Sequence, residues 1–123
     1  MLNRDQILNR QAGRFETVAV PEWGGDVRIK ALCVRDRAII EADFVRLHRL
    51  IKSQDDSSVA HLTKLKLQMV ALSVVDADGV AQFTLDDVEL LAQQEPDAIG
   101  AIADAATLLN GFASKAVEDS AKN

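Results

Sequence analysis

In 123 residues the chain has one cysteine, two prolines, one tryptophan and no tyrosine. Each shortage excludes something. With Cys33 alone no internal disulfide can form and no cysteine pair can hold zinc, which fits a reducing cytoplasm. His48 and His61 are the only imidazoles, and neither has a histidine four residues on or a cysteine partner. No recognisable metal set exists, and no cofactor is expected. No apolar run approaches the ~18 residues of a membrane span. The opening Met1-Leu2-Asn3-Arg4-Asp5-Gln6 places charges where a signal peptide needs an apolar stretch. These absences predict a soluble intracellular protein with no membrane partner.

Apolar residues make up 48% of the chain, enough for one helical core in one domain. The net charge of −5 is uneven, because residues 1–61 carry 10 Lys/Arg against 9 Asp/Glu and residues 62–123 carry 4 against 10. An acidic second half argues against wrapping nucleic acid, whose affinity for proteins comes mainly from Lys and Arg on phosphates. The first half is mixed, as on a solvated helix face. Nucleic acid is therefore not an expected partner.

The pattern predicts a mainly α chain with a small N-terminal β-hairpin, an α+β arrangement built on a bundle of about four helices. Two β-branched runs flank Pro21-Glu22-Trp23-Gly24-Gly25-Asp26, so residues 15–31 read as a hairpin with an aromatic at its tip and two glycines free to take positive φ. The expected strands are Phe15 to Val20 and Val27 to Ala31. A lone two-stranded ribbon is marginal in water, so the hairpin must lean on the helices or on another molecule. Asn3 and Gln6 form a capping-box pattern for a short helix from Arg4 to about Gln11. Residues 34–52 form an amphipathic helix with two apolar rows, Ala38, Ala42 and Val45 beside Ile40, Phe44, Leu47 and Ile51. Ser57 or Ser58 caps the next helix, Val59 to Val75, whose row is Leu62, Leu65, Met69 and Leu72. Thr84 and Asp87 box a helix running to about Gln94. Pro96 opens the last one, with Ile99, Ile102, Ala106, Leu109 and Ala113 on its apolar row. The domain is expected to span residues 1–117, with 118–123 as a flexible tail.

Reactive groups find no constellation. Asp76-Ala77-Asp78-Gly79 fails as a calcium loop, since Val74 and Leu85 would stand where carboxylates are needed, and it reads as a turn. Cys33 lies near Arg35 and Arg37 but reads as a buried or inert thiol. Gly24-Gly25 matches no phosphate-binding pattern. No catalytic residue is identified, and the chain reads as a non-enzyme. Trp23 either tucks back onto the helices or anchors a partner, as tryptophan does at interface hot spots. The candidate partner-binding residues are Pro21, Trp23, Gly24, Gly25, Leu62, Leu65 and Met69, although a helical row such as the last three is more often core.

Arg4-Asp5-Gln6-Ile7-Leu8, the Val-Pro-Glu-Trp-Gly-Gly core within Val18 to Ile29, the Val-Asp-x-Asp-Gly and Phe-Thr-x-x-Asp-Val of Leu72 to Val88, and Leu108-Leu109-Asn110-Gly111 follow in a telling order. Together they resemble the tail assembly chaperones of phages with long non-contractile tails. One departure is Cys33, where a Ser or Thr cap would stand. The resemblance implies a helical, self-associating protein of the host cytoplasm, absent from the finished virion. Such a protein keeps the tape measure protein soluble and helps recruit tail tube protein, and a frameshifted longer form is commonly made. The alternatives are a head-tail joining or tail-terminator subunit, and a small hydrolase using Asp76, Asp78 and His61.

Overall fold

Local hydrogen bonds set the element boundaries in the computed structural model, which describes residues 1–9 and 13–112. In α1 (Arg4–Asn9) the Gln6 N–H donates to Asn3 Oδ1 at 2.9 Å and the Asn3 N–H donates to Gln6 Oε1 at 3.0 Å. That is the reciprocal cap the spacing predicts. No residue of α1 is buried, so Leu2, Ile7 and Leu8 remain exposed. The expected end of this helix at Gln11 lies outside the described residues, as do Ala113 and the tail 118–123.

Strands β1 (Phe15–Val20) and β2 (Gly25–Lys30) pair antiparallel with Val20 opposite Gly25 and Phe15 opposite Lys30. Pro21–Trp23 form a 3-10 turn between them, and Gly24 at φ 73° closes it by donating its N–H to the Pro21 carbonyl at 3.0 Å. Only Gly24 needs the left-handed conformation; Gly25 is the first residue of β2, which starts two residues earlier than expected. A third strand, β3 (Val74–Val75), pairs antiparallel with β2 through Ile29–Val74 and Arg28–Val75. The sequence reading assigned these valines to the end of a helix. In fact the helix stops at Ser73 and Val74 turns extended at ψ 128°, the conformation that suits adjacent β-branched residues once a strand edge is available. The hairpin is thereby the outer part of a three-stranded sheet.

Helix α2 (Val34–Lys52) begins and ends where its periodicity predicts, with Cys33 at the cap position making no side-chain bond. Its inward face follows the second of the expected rows, except at exposed Ile51, and not the first. Ile40 and Leu47 are buried together with Asp36 and Asp43, while Ala38, Ala42 and Val45 face outward. Adjacent rows on one helix are equally apolar here, and only the position of the neighbouring helix decides which is covered. That neighbour is α3 (Ser57–Ser73), which packs against α2 on one side and α5 (Pro96–Leu109) on the other. α3 begins at Ser57 itself. The Asp55 carboxylate, in place of a serine hydroxyl, accepts the Ser57 N–H at 2.9 Å. Hydrogen bonds from the Ser57 backbone and side chain hold the Asp55 carboxyl below its usual range. Its contribution to stability is present above the unfolded-state value and is lost as pH falls through the lower folded-state value.

After β3, the Asp76 carboxylate accepts the N–H groups of Asp78 and Val80, both at 2.9 Å, and Gly79 turns at φ 84°. Thr84 and Asp87 then make the predicted box, with Asp86 N–H on Thr84 Oγ1 at 3.2 Å and Thr84 N–H on Asp87 Oδ2 at 2.8 Å. The helix it starts is shorter than expected: a 3-10 turn at Leu85–Asp87 leads into α4 (Val88–Leu91).

The core lies between α3 and α5 and under the sheet, with Val20, Ile29, Met69, Val70, Ala98, Ile102 and Ala106 fully covered. Asn110 ties its far end. The buried amide accepts the Leu32 N–H at 2.8 Å and donates to the Ala106 carbonyl at 2.7 Å. Arg37 donates to the Asn110 carbonyl at 2.7 Å and stacks 4.5 Å over the Phe112 ring. Asn110→Ala leaves the Leu32 N–H without its acceptor and should cost about 1–3 kcal/mol in denaturant unfolding. A loss below about 0.5 kcal/mol would show that this bridge contributes little.

Candidate functional site

The 3-10 turn at the hairpin tip swings Trp23 sideways onto the start of α5, where it is half-buried against the core. Its indole Nε1–H donates to Glu95 Oε2 at 2.9 Å, and Glu95 is the residue that caps α5 ahead of Pro96. The ring therefore tucks back onto the helices and keeps one side open. That side is a wall of a shallow groove of about 280 Å³ lined by Trp23, Phe83, Leu90, Leu91 and Gln94. Leu91 belongs to the core, whereas Leu90 beside it is 63% exposed, so the short α4 presents one leucine inward and one outward. The Thr84–Asp87 box fixes the direction in which α4 leaves Phe83.

Carboxylates neighbour this apolar patch along the chain. Asp86, Glu89 and Glu95 are exposed in the same stretch of chain. From Leu67 to Phe112 the only charged side chains are Asp76, Asp78, Asp86, Asp87, Glu89, Glu95, Asp97 and Asp104, with no Lys, Arg or His. The lining of the groove is thus apolar apart from Gln94, and the chain segment that supplies Phe83 to Gln94 carries only negative charge.

Among the residues named from sequence, Pro21, Gly24 and Gly25 are exposed and shape the turn that aims Trp23. Leu65 and Met69 are corrections. At 4% and 0% exposure they are part of the chain's own core, and a partner reaches them only by opening the fold. Leu62, nearer the start of α3, is 39% exposed and does not line the groove. Sequence reasoning missed Phe83, Leu90, Leu91, Gln94 and Glu95 as groove residues. The available signal was an apolar pair, Leu90-Leu91, on a segment too short to bury both.

The reactive groups are occupied elsewhere. Asp76 is held by the backbone of its turn, and His61 Nε2 sits 3.1 Å from the Asp43 carbonyl across the α2–α3 contact. Cys33 is exposed, so of the two expectations for it, buried or inert, the first does not hold. Among the described residues no group of three His, Cys, Asp or Glu side chains is placed to hold a metal, and no helix is long and apolar enough to cross a membrane.

Comparison with known proteins places the fold. No family model and no curated protein matches the sequence. Among solved structures the tail assembly chaperone of bacteriophage HK97 is similar, with a TM-score of 0.59 and 18% identity over 86% of this chain and 96% of that one. This chain has the fold of a phage tail assembly chaperone. The likeness covers most of both chains.

Glu95→Ala should free the indole without disturbing the helices. The emission of Trp23, the sole tryptophan, is expected to move to longer wavelength while helical circular dichroism stays constant, with a stability loss below about 1 kcal/mol for this exposed bond. An unchanged spectrum would mean that Glu95 does not position the ring.

Proposed function

We propose that the protein is a non-enzymatic chaperone of phage tail assembly, keeping the tape measure protein soluble and helping to recruit tail tube protein. The fold shared with the HK97 chaperone over almost the full length of both chains is the observation that carries this reading. Order and spacing of the Trp-Gly-Gly, Phe-Thr-x-x-Asp-Val and Leu-Leu-Asn-Gly motifs support it, and in the fold they correspond to the groove wall, the start of α4 and the end of α5.

Physical chemistry supports it too. A tape measure protein exposes apolar helical surface before the tube closes around it, and a binder of that surface lowers the free concentration of the sticky form. What such a binder needs is apolar surface that remains open in its own folded state, set among charges that keep the complex soluble. Val45, Ile51, Val59, Val80, Leu90 and Leu108 are exposed large apolar residues on this chain, whose net charge is −5. No step in this role requires bond chemistry. Self-association, cooperation with a frameshifted longer form and action in the host cytoplasm, outside the finished virion, belong to the same proposal.

Co-expression with its cognate tape measure protein tests the role. The soluble fraction of tape measure protein should rise several-fold, and purified virions should lack the chaperone. An unchanged soluble fraction, or a stoichiometric band in virions, would overturn the reading, the second outcome in favour of a head-tail joining or terminator subunit.

A further inference from the structure

The groove between the hairpin tip and α4 has a chemistry more specific than general stickiness. It is lined by Trp23, Phe83, Leu90, Leu91 and Gln94. Glu95 is bonded to the Trp23 indole, and Asp86 and Glu89 are exposed on the segment that supplies Phe83, Leu90 and Leu91, within a span of 46 residues, Leu67 to Phe112, that contains no cation. A flat apolar surface accepts many shapes, but a trough with one aromatic wall and an outward leucine suits the ridge that side chains at positions i, i+3, i+4 and i+7 make on a helix. The charge on that segment then selects the helix. An apolar ridge flanked by Lys or Arg brings cations onto the carboxylates, whereas a ridge flanked by Asp or Glu is repelled.

Resting on the chaperone reading above, we propose that this groove holds the client, and that it does so by taking an amphipathic helix whose apolar ridge is flanked by lysine or arginine. The positively flanked helix seats its ridge between Trp23 and Leu90 while its cations meet Glu89 and Glu95. Glu95 serves both sides of the contact, because one carboxylate oxygen fixes the indole and the rest of the group stays exposed.

The single tryptophan makes the test direct. Its fluorescence in the intact chain is followed as two synthetic peptides of about four helical turns are added, one of leucine and lysine, the other of leucine and glutamate in the same pattern. The lysine peptide should shift the Trp23 emission, and it should bind at least tenfold more tightly than the glutamate peptide, with the difference shrinking as salt is raised. Leu90→Asp and Glu89→Lys should each weaken the lysine peptide severalfold. Both positions are exposed, so the fold is retained, and Val34→Asp at the exposed start of α2 should leave binding unchanged. Equal binding of the two peptides, no effect of Leu90→Asp, or a Trp23 signal that saturates with protein concentration before any peptide is added would overturn the assignment. The last result would show a second copy of the chain filling the groove. A Leu90→Asp chain that loses the peptide yet still keeps tape measure protein soluble overturns the groove and leaves the chaperone reading intact. A native chain that binds the peptide but fails to solubilise tape measure protein overturns the chaperone reading and leaves the groove's preference standing.

Discussion

The contact between α3 and α5 is the constraint on which the rest of the molecule depends. Met69, Val70 and Ala71 on one helix and Ala98, Ile102 and Ala106 on the other are all fully covered. The alanines let the two backbones approach closely, so a modest number of large side chains fills the space between them. Every other described element that packs is laid on this pair. α2 and α4 lean on α3, while the hairpin and its tip lean on α5. Trp23 reaches the start of α5 because the register of β1 and β2 carries the tip that far, and Leu90 stays outside because α4 has only one side to bury.

This arrangement explains why the open surface survives folding. A fully amphipathic bundle would cover each apolar row, but among the described residues α2 packs mainly on α3, with Asn110 and Phe112 at one end, and α4 spans four residues. Covered rows and open rows therefore coexist, with Ala38, Ala42 and Val45 exposed on the outward side of α2. For a protein that must bind apolar segments of another chain, such residual exposure is an asset, and an acidic surface offsets the risk of precipitation.

Much of the fold was legible. The boundaries of α2, the reciprocal caps at Asn3–Gln6 and Thr84–Asp87, and the proline that opens α5 are local chemistry, settled within a few residues of sequence. What could not be read depended on distant partners. Val74 and Val75 become a strand only because β2 presents an edge to them, and which row of α2 turns inward is decided by α3. The groove was legible in part: Trp23 stood out as a lone aromatic beside two glycines, but Phe83, Leu90 and Glu95 come from sixty or more residues further along the chain and meet it only through α5 and α4. Leu65 and Met69 show the converse, a helical row equally consistent with core or interface until its surroundings are known.

Hydrogen exchange on the chain alone and bound to tape measure protein is the most direct test of the central claim that an open apolar surface, with no reactive group, does the work. The account predicts added protection at residues 21–25 and 83–95, with the α3–α5 core already slow in the free chain. Protection confined to other segments, or none at all in a complex shown to have formed, would contradict it.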